Sequence, residues 1–252
     1  MRNHQHQFSR FCRPDERVWR GYYRVKGRTN RTMIIAVDGS AASGKGTLSK
    51  RLADHFDLAH LDTGSLYRAL ALQLLNAGEN SNNFDKNHII AESKRLNLEL
   101  CNTPEIRTDR VAVVASRVAA LSEVRDNLLE LQRNFANNPP QGYGAVLDGR
   151  DIGSVVLPET PIKLFIDARL EVRANRRFKE LLHTGQSAMF RDVLEHMRER
   201  DQRDRNRPVA PLRAAQGAKI IDTSDMDADQ VFTVALAHVR HIAGTLNAGQ
   251  GD

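Results

Sequence analysis

The stretch MIIAVDGSAASGKGTL, residues 33–48, decides how the rest of the chain is read. Its first five residues are apolar and largely β-branched, as suits a short strand buried on both faces of a parallel sheet. Gly39-Ser40-Ala41-Ala42-Ser43-Gly44-Lys45-Gly46-Thr47 then fits G-x-x-x-x-G-K and leads into a helical pattern from Leu48 to Phe56. Glycines let consecutive backbone N–H groups wrap a phosphate, the helix N-terminus favours the anion, and Lys45 adds a point charge at the β- and γ-phosphates.

Working outward, four more short apolar runs end in polar or turn residues: Leu58 to Leu61, Ala145 to Leu147, Ile162 to Ile166 and Ala218 to Ile221. Helical patterns separate them at Ser65 to Asn76, Leu170 to Leu182 and Asp227 to Ile242. This alternation predicts an α/β fold with an open parallel sheet, helices on both faces and ligands beyond the strands' carboxyl ends. From Gly78 to about Asn138 the rhythm breaks into a mostly helical insertion with one strand candidate, Leu96 to Leu100. The chain has 252 residues, 40% of them hydrophobic and 27% charged, enough to bury a core unaided. Cys12 and Cys101 are too few for a disulfide scaffold or a zinc finger. No run approaches the length of a membrane span, so a soluble, cytoplasmic protein is expected.

The net charge of +6 belongs to one end. Residues 1–31 hold eight arginines and Lys26 against Asp15 and Glu16, a net +7, which leaves −1 for the remainder. Residues 1–32 therefore read as a basic, disordered extension, and residues 33–252 as a single domain. Met33 directly precedes the first strand, so translation is expected to begin there, or the extension to be inert. The core is expected to have no nucleic-acid or membrane partner and to act as a monomer.

Three further clusters handle charge. Asp62-Thr63-Gly64-Ser65-Leu66-Tyr67-Arg68 follows the second strand and opens a helix, placing Thr63 near its cap and Arg68 about one turn in. Asp148-Gly149-Arg150-Asp151 follows the third strand, pointing Arg150 and Asp151 into the same crevice. Arg198 to Pro208 packs five arginines, including Arg200, Arg203, Arg205 and Arg207, among acids such as Asp204, which suits a mobile flap closing on phosphates. Facing anion sites imply phosphoryl transfer between two nucleotides, with no general base required because the acceptor phosphate is already ionised. Gly46 stands where the common motif has a Mg²⁺-binding Ser/Thr, and the hydroxyl is displaced to Thr47. Mg²⁺ is then expected mainly on phosphates and water, with Ser43, Thr47 or Asp148 contributing.

The combination GSAASGKGT, LDTGSLYR, IRTDRVAVVASRVAALSEVR, LDGRDIG and ERDQRDRNR closely resembles the bacterial-type cytidylate kinase family, from Met33 to about Ala243. The resemblance implies a three-layer P-loop fold with a five-stranded parallel sheet. A helical insertion at about 78–138 would bind the monophosphate, and a short Arg-rich lid would lie at about 183–210. It further implies that Gly39 to Thr47 hold ATP, and that Asp62, Thr63, Tyr67, Arg68 and Arg150 hold the acceptor, Arg68 and Arg150 at its phosphate. Ser116, Arg125 and Asp151 would read cytosine, while Arg200, Arg203, Asp204 and Arg207 would act at the sugar and the transferring phosphates. The implied reaction moves the γ-phosphate of ATP to CMP or dCMP with Mg²⁺.

The sequence departs from the family in two places: Leu98 to Glu105 runs almost directly into Ile106 where a β-hairpin is common, and Thr63 replaces a common Ser. One alternative is a kinase for UMP or AMP, which a panel of monophosphates would separate. A nucleic-acid-binding protein that uses the basic extension, with the glycine loop as a nucleotide switch, is a second alternative; it predicts salt-dependent binding lost with that extension.

Overall fold

The computed structural model describes residues 32–77 and 85–248. All of the 1–32 extension except Thr32, and the first residues of the insertion, 78–84, lie outside them.

Five parallel strands, β1 (Met33–Gly39), β2 (Ala59–Asp62), β3 (Gly144–Gly149), β4 (Ile162–Asp167) and β5 (Lys219–Asp222), lie in the order β2-β3-β1-β4-β5. The strand with the most continuous apolar run is the central one. Side chains alternate across a strand, so Ile35 and Val37 face one layer while Ile34 and Ala36 face the other. The first layer is α1 (Lys45–Phe56) with α8 (Ala228–Ala248), packed through Leu48, Leu52, Phe56, Val231, Ala235 and Val239. The second holds α5 (Ser122–Asn137) and a π-helical turn at Ile152–Val156, packed through Ala136, Ile152 and Val156. The three-layer arrangement is the one the βα alternation predicted.

The insertion has its own apolar cluster. Helices α2 (Thr63–Asn76), α3 (Lys86–Ser93), α4 (Asp109–Val118) and α5 close around Leu70, Leu74, Ile106, Val114 and Leu128, all with almost no exposure. At full burial each such side chain contributes roughly 1.5–3 kcal/mol. The strand expected at Leu96 to Leu100 is instead a 3₁₀ helix, Leu98–Asn102, followed by another at Pro104–Arg107. Its alternating leucines find no sheet edge to join: Leu96 and Leu100 pack on the insertion core, while the Asn97 side chain accepts from the Glu99 N–H at 3.0 Å and starts a turn. The second strand is also shifted by one residue, with Leu58 only bridging Gly142.

The arginine-rich segment is a helix, α7 (Phe190–Asn206), packed beside α6 (Leu170–His183). Val193, Met197, Asp201 and Asp204 form its buried stripe at helical spacing, and Val193 and Met197 join Ala41, Ala174 and Leu181 in a small cluster under the glycine loop. Asp201 and Asp204, three residues apart, turn two carboxylates inward, where arginines meet them. No helix among the described residues is long and apolar enough to cross a membrane.

Candidate active site

All five strands run toward one rim, and a cleft of about 1210 Å³ opens beyond it. Ala41 to Thr47 line one side, Ser65 and Arg68 of α2 with the insertion's Cys101 and Ser116 another, and Arg177, Arg200 and Arg203 of α6 and α7 the third.

The glycine loop is held by its carbonyl side. Thr223 Oγ1 donates to the Ser43 carbonyl at 2.9 Å, Arg173 reaches the Ala41 carbonyl at 3.3 Å, and Lys45 Nζ lies 3.4 Å from the Ser40 carbonyl. Ser40 Oγ donates to Asp167 at 2.5 Å. Gly39 is required where it stands, because a Cβ there would lie 2.0 Å from the Ile166 carbonyl oxygen of β4. Gly44 caps α1 at φ 91°, a conformation open to glycine.

Burial, together with the Arg150 guanidinium, pushes the Lys45 ammonium down to about 7, although Asp148 and Asp62 oppose the shift. A bound polyphosphate reverses that balance, so nucleotide binding above pH 7 is expected to take up a proton at Lys45, and affinity to weaken by up to about tenfold per pH unit as pH rises. Calorimetry at pH 8 in buffers of different ionisation enthalpy should show that uptake in the native chain and its loss in Lys45→Met. Equal uptake in both would assign the proton elsewhere.

The acceptor side is a network of guanidinium groups and carboxylates. Arg68 donates to Asp62 at 2.5 Å, and although burial opposes ionisation, Arg68 holds the Asp62 carboxyl below the usual carboxylate range. Arg150 Nε donates to Asp204 at 3.0 Å, and Arg200 Nε lies 4.0 Å from the same carboxylate. Despite its burial, Asp204 is held low by those two cations, while burial and Arg150 push Arg200 down to about 10. Arg203 donates to Ser116 Oγ at 2.8 Å across the cleft. Ser43 Oγ, Arg68 Nε, Arg200 Nε and Arg207 Nη2 are buried with no hydrogen-bond partner among the described residues. Buried unpaired donors are costly, and the three on residues that line the cleft, Ser43, Arg68 and Arg200, mark where anionic oxygens fit.

Lys45, Arg68, Ser116, Arg150, Arg200 and Arg203 line the cleft. Thr63, Tyr67, Arg125, Asp151, Asp204 and Arg207 sit just behind its wall. Thr63 Oγ1 donates to the Asp148 carbonyl at 2.8 Å and crowds Gly149, where a Cβ would lie 2.6 Å from that hydroxyl. Arg150 and Asp151, expected to point together, diverge. Asp151 turns inward to a buried ion pair with Arg125, whose guanidinium also stands 5.6 Å over the Tyr67 ring. Arg207 Nη2 is 3.7 Å from Asp151 Oδ1, for which no hydrogen bond is seen among the described residues, and Arg207 Nε donates to the Ala210 carbonyl at 2.6 Å.

Several neighbours escaped sequence reasoning. His60 Nε2 lies 2.7 Å from Asp148 Oδ2. Arg177 joins Asp109 at 2.6 Å, and Arg176 donates to Thr223 Oγ1 at 2.9 Å. Arg173, Arg176 and Arg177 recur at helical spacing, the signal that would have drawn attention to α6.

A family model described as cytidylate kinase matches residues 35–241. A cytidylate kinase of Paramagnetospirillum magneticum is 50% identical over 206 residues, spanning 81% of this chain and 95% of the relative. One of Rhodospirillum rubrum is 49% identical over 210 residues (83% and 98%), and one of Azorhizobium caulinodans 47% identical over 212 (84% and 100%).

Proposed function

The chain belongs to the cytidylate kinase family, and from that premise we propose that it transfers the γ-phosphate of ATP to CMP or dCMP, giving ADP and CDP or dCDP. The observation that carries this reading is the convergence of Lys45, Arg68, Arg150 and Arg200 on one cleft, with unpaired donors left over and a buried carboxylate, Asp151, behind the acceptor side. Gly39 to Thr47 take the phosphates of ATP, and Lys45 bridges its β- and γ-phosphates. Arg68 and Arg150 receive the acceptor's phosphate, Arg68 exchanging Asp62 for it while Arg150 keeps Asp204 through Nε. An acceptor phosphate oxygen attacks the γ-phosphorus in line, the bond to the β-phosphate oxygen breaks, and ADP leaves with that electron pair. Arg200, Arg203 and Arg207 offset the charge spread over the transferring group, and Asp204 holds Arg150 and Arg200 in place. Ser43 Oγ, Thr47 and Asp148 are hard oxygen donors that fit Mg²⁺, directly or through water, and the unpaired Ser43 hydroxyl suits that role. Mg²⁺, when bound there, would supply charge neutralisation for the phosphates. The substrates are soluble nucleotides, and the reading places the chain in the cytoplasm as a monomer without nucleic-acid or membrane partners.

Base choice rests on Asp151 with its partner Arg125, and on Ser116 in the cleft wall. Arg125 occupies Oδ2, and Oδ1 is free to accept from the cytosine 4-amino group, whereas uracil presents an oxygen there. Asp151→Asn is expected to lower kcat/KM for CMP by about ten- to a hundredfold, the scale of one charged hydrogen bond, while UMP holds or improves. Equal falls for CMP and UMP would remove Asp151 from base recognition.

A further inference from the structure

Asp38 lies beside the glycine loop yet outside the cleft, 3% exposed, with no cation bonded to it among the described residues. Its carboxylate works as a fork. Oδ1 accepts from the Ile152 N–H at 2.6 Å and Oδ2 from the Gly153 N–H at 2.8 Å, 114 and 115 residues away in sequence. Those amides open the π-helical turn that directly follows Arg150 and Asp151. The turn's far end is gripped as well: Arg133 of α5 donates Nε to the Val156 carbonyl at 2.9 Å and Nη2 to the Val155 carbonyl at 3.2 Å. Between them the Asp151 carbonyl accepts from the Val155 and Val156 N–H groups, and Ile152 and Val156 are buried in the sheet's second apolar layer.

We propose that Asp38 is a positioning residue for the acceptor: by holding two successive amides of this turn, it fixes the angle at which Arg150 meets the acceptor phosphate and Asp151 meets the base. The inference rests on the functional reading above. A carboxylate is the side chain with two acceptor oxygens and no donor, so it alone satisfies both N–H groups from one position. Retaining it is costly: burial, reinforced by the Asp151 charge, pushes the carboxyl up to about 7 even though two backbone donors pull the other way. β1 is the central strand, so the acceptor-binding turn is referenced to the strand that carries the glycine loop.

The test is steady-state kinetics of Asp38→Asn with ATP, CMP and UMP, beside Asp151→Asn. A carboxamide keeps one acceptor oxygen and orphans one amide, so KM for CMP is expected to rise about tenfold, KM for UMP about threefold through Arg150 alone, and KM for ATP to stay within twofold. Arg133→Met, an exposed change at the other end of the turn, should produce the same ordering at smaller size, with Arg133→Lys restoring most of it. Unchanged acceptor KM in both variants, or ATP and acceptor KM rising together, would overturn the proposal even if Asp151→Asn erases the CMP preference. Equal rises for CMP and UMP with ATP spared, together with a CMP preference surviving Asp151→Asn, would keep Asp38 as the positioning residue and remove Asp151 from base reading.

Discussion

Replacing Lys45 with alanine is expected to lower kcat for CMP phosphorylation by about a hundredfold or more, corresponding to about 3 kcal/mol of transition-state stabilisation. The side chain starts on the first residue of α1, and its ammonium lies 3.4 Å from the Ser40 carbonyl, inside the loop that takes the phosphates. Negative charge moves toward the bridging oxygen between the β- and γ-phosphates as the bond breaks, and a cation held there gains most in the transition state. KM for ATP should rise much less than kcat falls, because the loop's backbone donors remain. Turnover near that of the native chain would detach catalysis from the glycine loop.

Arg173→Ala is expected to cost about 3–5 kcal/mol of stability, the cost of leaving a buried carboxylate without its partner. The Arg173 side chain is 2% exposed and fully committed: Nη2 and Nη1 donate to Asp201 at 2.5 and 3.1 Å, and Nε donates to the Ala168 carbonyl at 2.7 Å. Asp201 is also buried, with Arg205 as a second cation within reach, at 3.9 Å. For a domain this size the loss corresponds to a fall in Tm of about 10 °C. The double change Arg173→Met, Asp201→Leu should recover most of the stability, since an apolar pair carries no desolvation cost. It should not recover turnover, because the Ala41 carbonyl and α7 lose their common anchor. A Tm within about 2 °C of native for Arg173→Ala would show that the pair contributes nothing net.

What the sequence made legible follows from distance along the chain. The β1 strand, the glycine loop and α1 are contiguous, and each rests on local rules: β-branched residues in a buried strand, glycine where no Cβ fits, an apolar stripe at helical spacing. The Leu96 to Leu100 reading failed because five alternating residues carry the same pattern in a strand as in a 3₁₀ turn, and the choice is made by whether a sheet edge is available. The arginines of residues 198–207 were found by composition, whereas Arg173, Arg133 and the pairings made over distance were not: Arg173 with Asp201, Asp38 with Ile152 and Arg133 with Val156 join residues from 23 to 114 positions apart. Asp151 shows the limit most clearly. Its position after a strand end marked it as a site residue, but its inward turn to Arg125 depends on a helix from the insertion, which no local pattern reveals.

The central claim, transfer of phosphate from ATP to a cytidine monophosphate, is tested most directly by one coupled assay across CMP, dCMP, UMP, AMP and GMP at equal concentration. CMP and dCMP should be phosphorylated with kcat/KM at least about tenfold above UMP and further above the purines, the scale set by one charged hydrogen bond to the base. UMP or AMP turned over as well as CMP, or no transfer to any of the five, would contradict it.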